Sequence, residues 1–136
     1  MSLTSAQRSF LEEPRFTVLA TSFPNGRIQQ TVMWYVLRDD EIIMNTAAGR
    51  AKERNVRSNQ AVSLCWEDGY RFLTISGTVR ELIDDPEEAL NDILGLARRY
   101  NPQATDEDID QRFSNFRREK RITLVVSIDR VLANGF

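Results

Sequence analysis

The chain has 136 residues, with 18 Lys and Arg against 20 Asp and Glu, a single cysteine and no histidine. That length suits one domain, residues 1–136, with a core of its own, and a net charge of −2 excludes a surface built to coat nucleic acid or an anionic membrane. Without histidine the usual zinc sites and every Ser/His or Cys/His nucleophile pair are excluded, and a lone cysteine forms no internal disulfide.

The N-terminus lacks the basic and apolar regions of a secretion signal, and no run approaches the roughly 20 apolar residues needed to span a bilayer, so a soluble, cytoplasmic protein is expected. "TSAQRSFLEE", residues 4–13, opens with capping residues and stops before Pro14, which predicts a short leading helix. "RFTVLATSF" is rich in β-branched and aromatic residues and closes on "PNG", the signature of a strand entering a hairpin. After Gly26, "RIQQTVMWYVL" alternates as one strand. Ile28, Val32, Trp34 and Val36 share one face, and Gln29, Thr31, Met33 and Tyr35 share the other, partly polar face, as in a strand beside a ligand.

The acidic turn "RDDE" leads to a third strand, "IIMNTA", and then to "AGRAKERNVRSN". Ala51–Ser58 reads as a short helix with Glu53 and Arg57 spaced for an i,i+4 pair. Two strands, "QAVSLCWE" and "RFLTISGTVREL", join through "DG", and Gly77 marks a bulge or a close backbone approach. Cys65, in an apolar run, reads as a small buried hydrophobe, and Trp34 and Trp66 as core or interface residues. From Asp85 the period changes, and "DPEEALNDILGLARRY" carries a cap, Pro86 at the first turn, early acids and late arginines, all helix signals. A second helix over 106–118 and a last strand, "RITLVVSIDRVL", complete the chain. Strands joined by tight hairpins with helices inserted late predict a mainly β protein, a small six-stranded antiparallel barrel with helical decorations.

One segment carries chemistry. A strand ending in Asn45-Thr46, a glycine turn and a basic helix start together make a phosphate site, because free N–H groups and the helix dipole favour an anion there. Arg50 forks onto two oxygens, Lys52 adds a point charge, and Asn55 offers a further donor. A solvated basic helix face is the bland alternative for this spacing. Neither a Walker A loop nor a Rossmann fingerprint is present. The short basic span and net acidity argue against nucleic acid, despite nearby Trp34, Tyr35, Trp66 and Tyr70.

The ordered set "PNGRIQQTVMWYVLRDDEIIMNTAAGRAKERNVRSNQAVSLCWEDG" resembles the flavin-binding split barrel of the pyridoxamine phosphate oxidase-like superfamily, in particular its deazaflavin-dependent oxidoreductase branch. The likeness covers residues 8–80 well and is looser beyond. It implies a homodimer with FMN or the deazaflavin factor 420 in a groove between subunits, and hydride transfer to a small conjugated substrate. By position it implies that Arg50 and Lys52 hold the phosphate, with Arg54 and Asn55 next. Thr31, Val32, Met33 and Trp34 would run along the ring system, Asn45 and Thr46 would meet the cofactor from the adjacent strand, and Tyr70 to Thr74 would face the partner's cofactor. Arg54 and Arg57 add positive charge that suits the acidic tail of the deazaflavin.

Two departures qualify the likeness. Ile28 stands where many relatives have proline. Ala51 replaces the arginine of an Arg-Lys pair before Lys52, and the chain ends at "VLANGF", so conversion of the vitamin itself is not expected. A proton donor is limited to Tyr35, Tyr70, a carboxylate or water, and no metal is expected. A flavin-binding or storage protein without turnover is the alternative, because fold does not fix function.

Overall fold

Residues 2–136 are described by a computed structural model. The capping signal at Thr4 forms as read: its hydroxyl accepts from the Gln7 amide and the Gln7 side chain reaches back, starting helix α1 (Ser5–Glu12). Strands β1 (Thr17–Ser22), β2 (Ile28–Met33), β3 (Val36–Arg38) and β4 (Glu41–Ala47) follow, then helix α2 (Ala51–Ser58). The long hairpin β5 (Ala61–Asp68) and β6 (Arg71–Ile83) leads to α3 (Pro86–Tyr100), capped by Asp85. Helix α4 (Asp106–Arg112), a 3₁₀ turn (Ser114–Arg117) and β7 (Arg121–Asn134) complete the chain, so the helix expected over 106–118 breaks at Phe113.

Among the described residues the strands form one antiparallel sheet of seven, in the order β2-β1-β5-β6-β7-β4-β3. The mainly β antiparallel architecture with helices is as expected, but the six-stranded split barrel is corrected: the sheet has seven strands and is not closed, and the segment read as one strand over 27–37 is two. The cause is Tyr35. Its N–H donates to the Tyr100 hydroxyl at 3.1 Å, and its carbonyl accepts from Arg99 Nε at 3.0 Å, so side chains of α3 replace the sheet ladder at this residue. The Tyr35 ring is fully buried, and its hydroxyl donates to the carbonyls of Leu11 and Glu13 at the end of α1. Because β2 and β3 are the two sheet edges, this break carries the chain from one edge to the other.

One face of every strand feeds a single core that includes Leu19, Met33, Ile42, Met44, Leu64, Trp66, Ile75 and Leu124, with Val56 of α2 closing it. The partly polar face of β2 is therefore the inner one, since Met33 and Tyr35 lie in this core and Ile28 and Val32 point out. Cys65, expected to be buried, is exposed on the outer face of β5, where strand parity puts it opposite its buried neighbours Leu64 and Trp66. Helix α3 covers the other side of β4 and the first half of β7, which is why residues 121–126 are buried on both faces. Among the described residues, no helix is long and apolar enough to cross a membrane.

Gly77 sits at a register shift between β6 and β7. A Cβ there would meet Ser127 O at 2.5 Å and Val126 Cγ1 at 2.7 Å, so the strands approach as closely as they do only because no side chain intervenes. Gly77→Ala is expected to destabilise the fold by about 2 kcal/mol, read as a lower urea midpoint. An unchanged midpoint would mean that the bulge opens freely.

Candidate functional site

The turn after β4 carries Gly49 at φ 89°, a backbone state that favours glycine, and delivers the chain into α2. Glu53 fixes this entry. One carboxylate oxygen accepts from the Gly49 amide at 2.8 Å and the other from Arg57, and these bonds, the backbone amide first, hold its pKa below the ordinary value. Arg57 is thus structural, as its spacing implied. Arg50 occupies the N-cap position without a side-chain cap, so no side chain satisfies the first amides of the helix, where its positive dipole end lies.

Three cations converge at this helix start. Lys52 is only 6% exposed, yet its ammonium has no hydrogen bond or ion pair among the described residues. Burial, Arg50 and Arg121 together push its pKa down from the usual lysine value, burial most. Arg121, at the start of β7, is 5% exposed. Its Nε donates to Asn45 Oδ1 at 2.9 Å and its Nη1 to Glu119 Oε1 at 2.8 Å, while its plane lies 4.8 Å from the Phe116 ring centre. Arg50 is half-exposed and approaches Glu119 Oε2 only to 3.6 Å. One carboxylate therefore stands among three positive charges, and the arrangement can hold an anion.

The other expected residues fall into two groups. Asn45 belongs to the cluster, but as a support: its amide nitrogen donates to Ala89 O and Thr123 Oγ1, and its oxygen orients Arg121. Thr46 points to the inner side of the sheet, where its buried hydroxyl has no partner among the described residues. Arg54 donates to the Gly49 carbonyl and braces the turn. Asn55 is buried and donates to Thr21 Oγ1 at 3.1 Å, tying α2 to β1. On edge strand β2, Val32 is 65% exposed, Thr31 is half-buried and the Met33 side chain lies in the core. Trp34 stacks on Tyr100 with centroids 5.1 Å apart and meets Phe113 edge-on at 5.6 Å. Phe113 stacks on Phe116, the ring beneath Arg121, so an unbroken line of aromatic contacts joins Trp34 to the cationic cluster.

The Pyridoxamine 5'-phosphate oxidase family model matches residues 3–131. The chain belongs to this family. Its fold is shared with a solved structure described as an F420 reductase, at 27% identity and TM-score 0.78, covering 96% of this chain and 98% of the other. A conserved hypothetical protein from Mycobacterium tuberculosis is 28% identical, with TM-score 0.77 over 98% of this chain and 85% of that one. HutZ, the heme storage protein from Vibrio cholerae, has the same fold at 16% identity and TM-score 0.67, covering 100% and 97%. No curated protein matches the chain in sequence.

Within this family member the sequence motif located Arg50 and Lys52 but missed Arg121 and Glu119. Both lie far along the chain, and "EKRIT" reads only as a charged strand start; the signal that finds them is the β4–β7 pairing, which sets Ala47 opposite Arg121. Tyr35 is removed as a proton donor, since burial pushes its hydroxyl up to about 12 and both nearby acceptors are main-chain carbonyls.

Lys52 carries an unpaired charge on a side chain largely removed from water, next to two other cations, which costs stability, so Lys52→Met is expected to stabilise the ligand-free protein by roughly 1 kcal/mol. The sign of the pH dependence follows. Because the folded pKa is the lower one, the unfolded chain binds more protons between the folded value and the ordinary lysine value, and wild-type stability rises with pH through that window. Denaturation at a series of alkaline pH values should show this rise in wild type and its loss in the variant; a destabilised variant would mean that Lys52 has a counter-charge.

Proposed function

We propose that the chain is an oxidoreductase that binds FMN or the deazaflavin factor 420 by its phosphate at the Arg50–Lys52–Arg121 cluster. The observation that carries this reading is Lys52, a buried residue whose ammonium has no partner among the described residues and stands beside two other cations at a helix start without a side-chain cap. Family membership and the likeness to the F420 reductase structure support it.

When bound, the cofactor supplies hydride transfer to or from a small conjugated substrate. The chain's own residues do the rest. Lys52 and Arg50 neutralise the phosphate, Asn45 aims Arg121 at it, and the leading amides of α2 donate to its oxygens. Thr31, Val32 and Trp34, with the main chain of Met33, border the ring system along the free side of β2, and Trp34 is held in place by Tyr100 and Phe113. With Tyr35 committed to the core, the proton comes from the exposed Tyr70, a carboxylate or water.

A homodimer is part of this reading. Register places Val32, Val18, Cys65, Thr74 and Leu132 in one row across the outer face of the sheet, with Val32 and Leu132 each well exposed. Such an apolar row on a sheet's open face suits a second copy, which would bring Tyr70 to Thr74 to the neighbouring cofactor. Haem storage, the role by which HutZ is described, is not favoured for this chain, because a haem iron would lack its usual imidazole ligand in a chain without histidine. A flavin-binding or storage protein without turnover stays the alternative reading.

Titration of purified protein with each cofactor, followed by absorbance and fluorescence, is expected to show saturable binding of at least one; binding of neither would end the proposal. Leu132→Asp is expected to yield a monomer by light scattering with weakened cofactor binding, and an intact dimer would place the interface elsewhere. Anaerobic assay of the reduced cofactor against a panel of quinones should give turnover, whereas none across the panel would leave a binding protein.

A further inference from the structure

We propose that Glu119 is a built-in counter-ion that occupies the anion cluster until the phosphate arrives and releases Arg50 to it. This inference rests on the proposed phosphate site. Its grounds are the unequal bonds that the carboxylate makes. Oε1 accepts from Arg121 Nη1 at 2.8 Å and from Asn115 Nδ2 at 3.1 Å, both well within hydrogen-bond range. Oε2 has only the 3.6 Å ion pair with Arg50, too long for a hydrogen bond. The carboxylate is thus anchored on one oxygen and loosely paired on the other.

Exposure makes the same division. The side chains of Glu119 and Arg121 are 28% and 5% exposed, whereas Arg50 is 53% exposed and free to swing. Lys52, with no partner among the described residues, is the cation left for an incoming anion to meet first. A phosphate bound there can draw Arg50 off Glu119, because a bidentate guanidinium–phosphate pair is stronger than a long ion pair at a half-exposed site. Glu119 keeps its bonds to Arg121 and Asn115 throughout, so Arg121 is never left as a bare buried charge. The consequence is that Glu119 opposes binding twice, by like-charge repulsion of the phosphate and by competition for Arg50.

The test measures affinity for FMN and for the deazaflavin factor 420 in wild type, Glu119→Gln, Arg50→Ala and the double variant, with thermal melting as a check on folding. The glutamine keeps an acceptor for Arg121 and removes the charge. Glu119→Gln is expected to tighten binding by about three- to tenfold, and the gain is expected to shrink in the Arg50→Ala background, since the competition for Arg50 is then gone. Unchanged or weaker binding in a folded Glu119→Gln, or a gain fully preserved without Arg50, overturns the counter-ion role while wild-type binding leaves the phosphate site standing. If Glu119→Gln does not fold, Asn115→Ala, which loosens the carboxylate's anchor, is measured in its place: an affinity altered at least twofold supports the role and an unaltered one overturns it. Wild-type protein that binds neither cofactor overturns both this inference and the site.

Discussion

Lys52 is a buried residue whose ammonium stands beside two guanidinium groups with no hydrogen bond or ion pair among the described residues, and the nearby carboxylates of Glu119 and Glu53 are already bonded to other groups. In a medium less polarisable than water such like charges repel strongly, and a buried charge normally finds a partner or gives up its proton. The surrounding structure is arranged to keep this one in place. Glu53 locks the turn that starts α2, Asn55 ties the helix to β1, and Asn45 with Glu119 fixes Arg121 across from it. A local rule broken at one point and supported on every side is the usual mark of a site shaped for something that binds.

A second constraint links that site to the rest of the molecule. At Tyr35 the chain leaves one sheet edge for the other, and the backbone groups freed there are taken up by Arg99 and Tyr100. Arg99 also donates to the carbonyls of Leu11, Glu12 and Glu13, so the same guanidinium closes the end of α1. The helices that follow β6 are for this reason more than decoration. They hold the strand break open, set Trp34 against Tyr100, and through Phe113 and Phe116 continue to the ring beneath Arg121. Ring system and phosphate would then be received by one connected framework.

Much of this was legible in the sequence wherever the cause is local. The Thr4 and Asp85 caps, the Glu53–Arg57 pair, the Asp39-Asp40 turn with both residues at positive φ, and the bulge at Gly77 all depend on neighbours within a few positions or on a single backbone contact. What was not legible depends on distant partners. The alternation of residues 27–37 continues through Trp34 and Tyr35, so only hydrogen bonds from side chains 64 and 65 positions away reveal the break. Cys65 lies among apolar neighbours, and its exposure follows from which face of β5 meets the core. Arg50 and Lys52 stand out because they are adjacent in a motif, whereas Arg121 and Glu119 join them only through the β4–β7 pairing.

The charge state and partnership of Lys52 decide whether the phosphate sits here, and nuclear magnetic resonance of its ammonium reads both directly. A titration with and without bound FMN or deazaflavin should find its pKa below the ordinary lysine value in the free protein and raised once the phosphate is bound. A lysine that titrates normally when free, or that is indifferent to a saturating cofactor, would contradict the claim that this buried cation is the seat of the phosphate.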